Sequence, residues 1–225
     1  MATLSPSLSV VIPALNAATS LARTLDSVAE RRDAQIIVAD GGSADGTIAL
    51  VRSVGAELVQ APRGRGPQLA AGAAAARGDW LLFLHADTAL APGWRRIAEA
   101  HMAAGAARAG YFRFALDDAS EAARRLERFV AWRCRALALP YGDQGLLIAR
   151  RRYDAVGGFR PIPLMEDVDI ARRLGRAGLV ALDHPAVTSA QRYRGGYRRR
   201  GARNLLCLSL YFCGVPPSLL ARIYG

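Results

Sequence analysis

Between Leu8 and Leu84 the chain alternates short apolar runs with segments whose apolar residues recur every three to four positions. Leu8–Ile12 is a β-branched run stopped by Pro13, the pattern of a buried strand. Thr19–Arg31 carries Leu21, Leu25 and Val28 at helical spacing, with Thr19 or Ser20 as the N-cap candidate. Gln35–Ala39 is a second buried strand and runs into the loop Asp40-Gly41-Gly42-Ser43. Asp45–Val54 reads as a helix capped by Asp45 and ended by Gly55, and Glu57–Gln60 as a third strand. After a Gly64–Gly66 loop, Pro67–Ala76 is an alanine-rich helix closed by Arg77-Gly78. Trp80–Leu84, the most apolar strand, leads into His85-Ala86-Asp87. This alternation predicts an α/β fold: a mostly parallel sheet with helices on both faces. Ligands of such sheets bind beyond the carboxyl ends of the strands. Asp40 and Asp87 each follow a strand directly, so both are expected to point into one crevice.

The second half is less regular. The pattern predicts a helix over Pro92–Ala103, an alternating strand over Ala109–Leu116 and a long amphipathic helix over Asp118–Leu139, with acids at its start that complement the helix dipole. A short strand at Gly145–Ala149, a helix at Val168–Arg176 closed by Gly178, and a final strand at Leu179–Leu182 follow. The tail from Arg192 is arginine-rich and then apolar. With no repeat and no linker, residues 1–225 read as one domain. About 8–90 form one half, about 91–190 the other, and about 191–225 a basic then apolar tail.

Composition sharpens this only in places. A hydrophobic content of 52% is ample for a core and excludes a disordered chain. The net charge is +11 and every basic side chain except histidine is arginine. Such charge suits anionic partners, although a bias towards Ala and Arg accounts for it equally well. No helix-turn-helix or zinc-finger pattern accompanies it, which argues against nucleic acid. Cys134, Cys207 and Cys213 are odd in number and lack paired spacing, which disfavours a disulfide scaffold or structural zinc and fits a reducing cytoplasm. Met1–Ser9 shows no secretory pattern. Leu205–Val215 is too short to span a bilayer, which takes ~20 apolar residues. Cytoplasmic location is expected, with peripheral contact at the inner face of the membrane left open.

Four clusters carry the chemistry: Val10-Val11-Ile12-Pro13-Ala14-Leu15-Asn16, Ile37 through Asp40 to Thr47, His85-Ala86-Asp87, and Met165-Glu166-Asp167-Val168-Asp169. In this order and spacing they resemble the family 2 glycosyltransferases, over Leu8 to about Arg203. The stretches from Gly64 to Thr88 and from Pro140 to Leu174 are similar to a bacterial subgroup of that family associated with arsenosugar and radical-SAM gene neighbourhoods.

The resemblance implies a GT-A type, Rossmann-like sheet with an acceptor-side second half. It implies an inverting transfer from a UDP- or GDP-sugar to a hydroxyl acceptor, assisted by Mn²⁺ or Mg²⁺. It places the donor nucleotide against Pro13, Asn16, Asp40, Gly41, Arg65, Gln68 and Ala86. Asp40 suits a base N–H, and Gly41-Gly42 lets a ligand approach the backbone; an Asx turn is the alternative. Arg65, at a helix start, has the fork that matches phosphate, or else sits in a solvated loop.

Asp87 is the expected metal ligand, because hard oxygen donors suit a cation bridging a diphosphate. His85 stands where the family has the first Asp of Asp-x-Asp. It is a second ligand, a hydrogen-bonding group or a structural side chain. Asp167 is the expected general base, against the alternative that it is an ordinary first-turn acid. Glu166 holds the loop or touches the acceptor, and Asp169 is an ordinary helix residue. Asp143 and Gln144 are matched to sugar or acceptor hydroxyls, or lie in a turn. For the tail three readings stand: a lid with Arg192 and Arg199 on the diphosphate, an anionic membrane surface, or nucleic acid. Ala17 and Leu15 depart from the Glu and the aromatic usual beside Asn16. With His85 they motivate a competing reading, a nucleotide-binding module without turnover. Transfer to a lipid-phosphate carrier is a variant of the first reading.

Overall fold

The computed structural model describes residues 7–29, 33–193 and 195–224. Met1–Pro6, Arg194 and the expected end of the first helix at Arg31 lie outside them. Strands β1 (Leu8–Ala14), β2 (Gln35–Asp40), β3 (Glu57–Gln60), β4 (Trp80–Phe83), β5 (Thr88–Leu90), β6 (Ala109–Leu116), β7 (Leu146–Ala149) and β8 (Leu179–Thr188) form one sheet in the order β3-β2-β1-β4-β7-β6-β8-β5. Six strands share one direction; β7 and β5 run against it. The helices are α1 (Ala18–Val28), α2 (Thr47–Ser53), α3 (Arg65–Ala75), α4 (Trp94–Ala103), α5 (Glu121–Leu137), α6 (Arg150–Ala155), α7 (Glu166–Leu174), α8 (Tyr197–Phe212) and α9 (Pro217–Tyr224).

The period-2 alternation of side chains divides each strand between two cores. Val10 and Ile12 of β1 and Leu82 of β4 pack on Leu21 and Leu25 of α1, Val51 of α2 and Trp94 of α4. Val11, Leu81 and Phe83 face the other way, onto Leu69 of α3, Val130 of α5 and Val168 of α7. Trp94 is fully buried and donates its indole N–H to the Ser27 carbonyl at 2.8 Å. A sheet covered on both faces leaves only the strand ends open, which is why the site forms there.

Several boundaries differ from expectation for identifiable reasons. Pro13 does not stop β1, which continues to Ala14 opposite Asp40. The β1–β4 pairing ends at Val11, so the missing N–H of Pro13 points where no ladder bond is made. Neither Thr19 nor Ser20 caps α1. Its first N–H groups, on Ala17 and Ala18, donate to Thr47 Oγ1 and Asp45 Oδ2 across the β2–α2 loop. Asp45 also accepts from the Thr47 N–H, so one carboxylate serves two helix starts. Helix α7 begins at Glu166 rather than Val168, after Met165 in the left-handed region. Strand β8 runs on to Thr188 through an irregularity opposite Phe112/Arg113. The tail forms α8 and α9; among the described residues no helix is long and apolar enough to cross a membrane.

Candidate active site

Two polar regions meet at the carboxyl end of the sheet, and they are built differently. At the ends of β1 and β2 every key group is bonded within the protein. Asp40 has no solvent exposure; its Oδ2 accepts from the N–H groups of Gly42 and Ser43, and its Oδ1 from the Ser43 hydroxyl. This is the Asx-turn arrangement. Asn16, in the left-handed region, accepts from the Ala44 N–H at 2.9 Å, while its own N–H donates to Ser43 Oγ. Gln68 donates its amide to the carbonyls of Ala39 and Ala14 and so ties β2 to β1. A Cβ on Gly41 would stand 2.9 Å from Gln68 Nε2, so the space beside Gly41 is filled by that side chain.

Beyond β4 lies an open cleft lined by Arg65, His85, Asp87, Tyr141, Asp143, Asp167, Thr188, Arg192 and Arg200 among others. Its polar atoms are under-bonded by comparison. Both oxygens of Asp87, Asp143 Oδ1 and His85 Nε2 are buried with no protein hydrogen bond, as are both oxygens of Glu166 behind the cleft wall. Two of these carboxylates have ionic contacts: Arg192 Nε lies 2.8 Å from Asp87 Oδ2, and Arg65 Nε lies 3.0 Å from Glu166 Oε1. Unbonded buried oxygens are costly, so a cluster of them implies a cation or a hydrogen-bond donor as ligand.

Burial sets the protonation states. Burial, reinforced by Asp167 and Asp87 and opposed by Arg133, pushes Asp143 up to about 6. Burial pushes Glu166 up to about 7, against the pull of Arg65. Burial, then the charges of Arg65 and Arg192, hold His85 well below its usual 6.5, so the imidazole is neutral at pH 7.

Backbone geometry explains how the cleft is assembled. Because β7 runs antiparallel to β4, the loop before it returns over the end of β4. There Gly142 sits so close to His85 that a Cβ would lie 2.3 Å from Nε2. The Gly142 N–H donates to Asp167 Oδ2 at 3.0 Å, and the Val168 N–H donates to Asp167 Oδ1 at 2.8 Å. Asp167 is thereby oriented by two backbone donors, each oxygen keeping a free lone pair. Gly66 brings α3 against the 160–162 segment, where a Cβ would meet the carbonyls of Ile162 and Arg160 at 2.4 and 2.5 Å. That contact sets Arg65 opposite Glu166.

The structure brings Asp87, His85, Asp143, Asp167, Arg65 and Arg192 together and keeps other expected residues away. Pro13 lies within β1, and Ala86 is half-buried between His85 and Asp87. Glu166 does not line the cleft: it is fully buried and holds Arg65. Asp169 pairs with Arg160 and Arg173, as a helix residue would. Gln68 and Gln144 are corrected. The Gln68 amide is spent on two carbonyls. Gln144, 2% exposed, donates to the Phe112 carbonyl and accepts from Arg133 and the Tyr141 N–H. Both amides cross-link the frame. Arg199 is also corrected: it points outward, and Arg200 on the inner side of α8 lines the cleft in its place. Tyr141, Thr188, Tyr193, Asn204 and Tyr224 complete the wall. Arg200 and Asn204 lie one turn apart on α8, and their polarity hides that face from a reading of apolar periods.

For a divalent cation the donor set is Asp87, with both oxygens free of hydrogen bonds, beside a neutral His85. His85 Nε2 abuts Gly142, which wedges the ring in place. No group of three or more metal-binding side chains is preassembled among the described residues. A cation here would take its remaining oxygens from a diphosphate and water, as Mg²⁺ commonly does.

Comparison with known proteins agrees with this architecture. A PGL/p-HBAD biosynthesis glycosyltransferase of Mycobacterium tuberculosis is 35% identical over 95 residues, 38% of this chain and 37% of the relative; its Mycobacterium bovis counterpart matches equally. The match thus spans little more than a third of the curated relatives' length. Glucosyl-3-phosphoglycerate synthase from M. tuberculosis, crystallised with Mn²⁺, UDP and glucosyl-3-phosphoglycerate, superposes with a TM-score of 0.63 at 20% identity, covering 94% of this chain and 81% of that one. S. aureus TarS gives 0.61 at 14% identity, covering 90% and 64%. These two likenesses establish a shared fold. The sequence profile described as "Glycosyl transferase family 2" matches residues 9–163, from β1 past β7 to just before Asp167, and the chain belongs to that family.

Proposed function

We propose that the protein transfers a sugar from a nucleotide-diphosphate sugar, of the UDP or GDP class, to a hydroxyl acceptor by a single inverting displacement. The observation that carries this reading is the pairing, in one cleft, of an under-bonded Asp87 with an Asp167 oriented by the N–H groups of Gly142 and Val168. The glucosyl-3-phosphoglycerate synthase structures with Mn²⁺ or Mg²⁺ and UDP support a metal-assisted donor site.

Asp87, with His85 beside it, would hold a divalent cation whose chemistry is to neutralise the departing diphosphate. Arg192 and Arg65 add fixed positive charge on the same side. Arg192 must leave Asp87 as the donor binds, and its guanidinium fork then suits a phosphate oxygen. Asp167 takes the acceptor proton as the hydroxyl attacks the anomeric carbon, on the face opposite the leaving group. Asp143, raised to about 6, sits where a hydrogen bond to a sugar or acceptor hydroxyl is available. The Asx turn of Asp40 and the Asn16 loop form the shoulder against which the nucleoside rests. The subgroup's arsenosugar association is a matter of gene order.

Release of UDP or GDP from the corresponding sugar nucleotides, followed with Mn²⁺ in wild type and Asp167→Asn, tests the proposal. Metal-dependent release that the substitution removes is expected. Donor binding without turnover in every condition would instead support the nucleotide-binding module.

A further inference from the structure

Large apolar side chains are exposed at nine positions among the described residues. Eight of them fall on three helices: Phe129, Trp132 and Leu137 on α5, Leu205, Leu206 and Phe212 on α8, and Leu219 and Ile223 on α9. α5 packs on α8, and α8 on α9. Their buried sides, Val130 and Cys134, Cys207 and Leu208, and Leu220, join the core beneath the sheet. The outer sides are therefore not core residues left out by chance, because each helix already has a complete buried face. Trp132 is 52% exposed, and its ring lies 5.7 Å from that of Phe129.

Charge on α8 and α9 is one-sided, whereas α5 also carries Glu121 and Glu127. From His184 to the end the sequence holds seven arginines and no aspartate or glutamate. Arg198, Arg199 and Arg222 are exposed and have no carboxylate partner among the described residues; nor has Arg128 on the outer side of α5, one residue before Phe129. Exposed leucines and aromatics interleaved with arginines that have long apolar stems suit a lipid interface, where stems and rings enter the acyl boundary and guanidinium groups stay with the headgroups. A nucleic acid would use the charge and leave Leu205, Leu206, Leu219 and Ile223 without a role. A folded protein partner would have to cover unpaired arginines beside apolar residues, which interface cores disfavour.

We propose that the outer faces of α5, α8 and α9 dock the protein on an anionic lipid bilayer. The inner side of α8 supplies Arg200 and Asn204 to the cleft, so one helix carries both the docking face and part of the site wall. This inference does not depend on the transfer reaction, since docking is measured without substrate.

The test is sedimentation of the full chain with vesicles of mixed phosphatidylglycerol and phosphatidylcholine, and with vesicles of phosphatidylcholine alone. Partition onto the anionic vesicles is expected to exceed that onto neutral ones by about tenfold or more, and to weaken with salt. Trp80 and Trp94 are buried, so a blue shift of tryptophan emission on vesicles reports Trp132. Leu205→Ser/Leu206→Ser removes two exposed side chains; its fold is checked by circular dichroism, and its vesicle binding should fall by about fivefold or more. Arg198→Gln/Arg222→Gln should weaken binding and flatten its salt dependence. Equal binding to neutral vesicles, no binding, or variants that bind like wild type would overturn the proposal. So would a lipid-free dimer dissolved by the leucine substitutions, which assigns the face to a second copy. Oligonucleotide binding that competes with vesicles while Trp132 emission stays unshifted would also overturn it.

Discussion

The ends of β1 and β2 and the end of β4 are both rich in polar side chains, yet one is closed by internal hydrogen bonds and the other is open. Around Asp40 and Asp45 both carboxylate oxygens have internal partners, as do Asn16 Oδ1 and the Gln68 amide nitrogen. Around Asp87, Asp143, Glu166 and His85, buried oxygens and a ring nitrogen lack hydrogen bonds, and among the described residues only Asp87 and Glu166 have an arginine against them. A closed network contributes to stability, because each lost member strands a donor or acceptor in the interior. An open one lowers stability and is retained for what it binds. Substitutions should therefore act in opposite directions in the two regions, on stability in the first and on donor binding or rate in the second.

The largest effect is expected from Asp167→Asn. Loss of a general base should lower kcat by about 10²–10⁴-fold, with donor affinity from titration nearly unchanged. Equal loss of affinity would make Asp167 a binding residue. Next is Gly142→Ala. Its Cβ would meet the His85 ring at 2.3 Å and displace the donor to Asp167, so activity should fall by about tenfold or more. Gly142→Ser should cost at least as much as Gly142→Ala, since its side chain is larger; a serine variant as active as wild type would show that the contact is not the cause.

Asp40→Ala should leave the Gly42 and Ser43 N–H groups unpaired and lower unfolding stability by about 2–4 kcal/mol in denaturant titration. Asp143→Asn should do the reverse. The carboxyl is raised from 3.8 to about 6 in the folded state, so between these values the native protein binds more protons than the unfolded chain. Wild-type stability from this group is therefore lost as pH rises from about 4 to 6. The asparagine variant should match wild type near pH 4 and exceed it by roughly 3 kcal/mol above about pH 7. A variant less stable than wild type at pH 8 would show that Asp143 belongs to the closed network instead.

Much of the fold was legible because its signals are strong and local. Glu57–Gln60 and Ala109–Leu116 are strands with the expected bounds, and the four strand–helix alternations give the parallel half of the sheet. β5 has three residues, too few to show a period, and α6 (Arg-Arg-Arg-Tyr-Asp-Ala) has no apolar stripe. The tail helices escaped because the inner side of α8 is lined by Tyr, Arg and Asn. In the site, acids placed directly after strands or before a helix could be located from order alone. The destination of an amide could not: Gln68 and Gln144 stand beside the right loops and turn inward to backbone carbonyls. Nor could sequence separate Arg199 from Arg200, which differ only by a rotation along α8.

The most direct measurement is calorimetric titration of UDP and GDP into wild type and Asp87→Ala, with and without Mn²⁺. The account predicts that one nucleotide binds wild type about tenfold or more tightly with the metal, and that Asp87→Ala loses this gain while remaining folded. Binding that is equally tight with and without Mn²⁺, or a metal gain that survives Asp87→Ala, would contradict it.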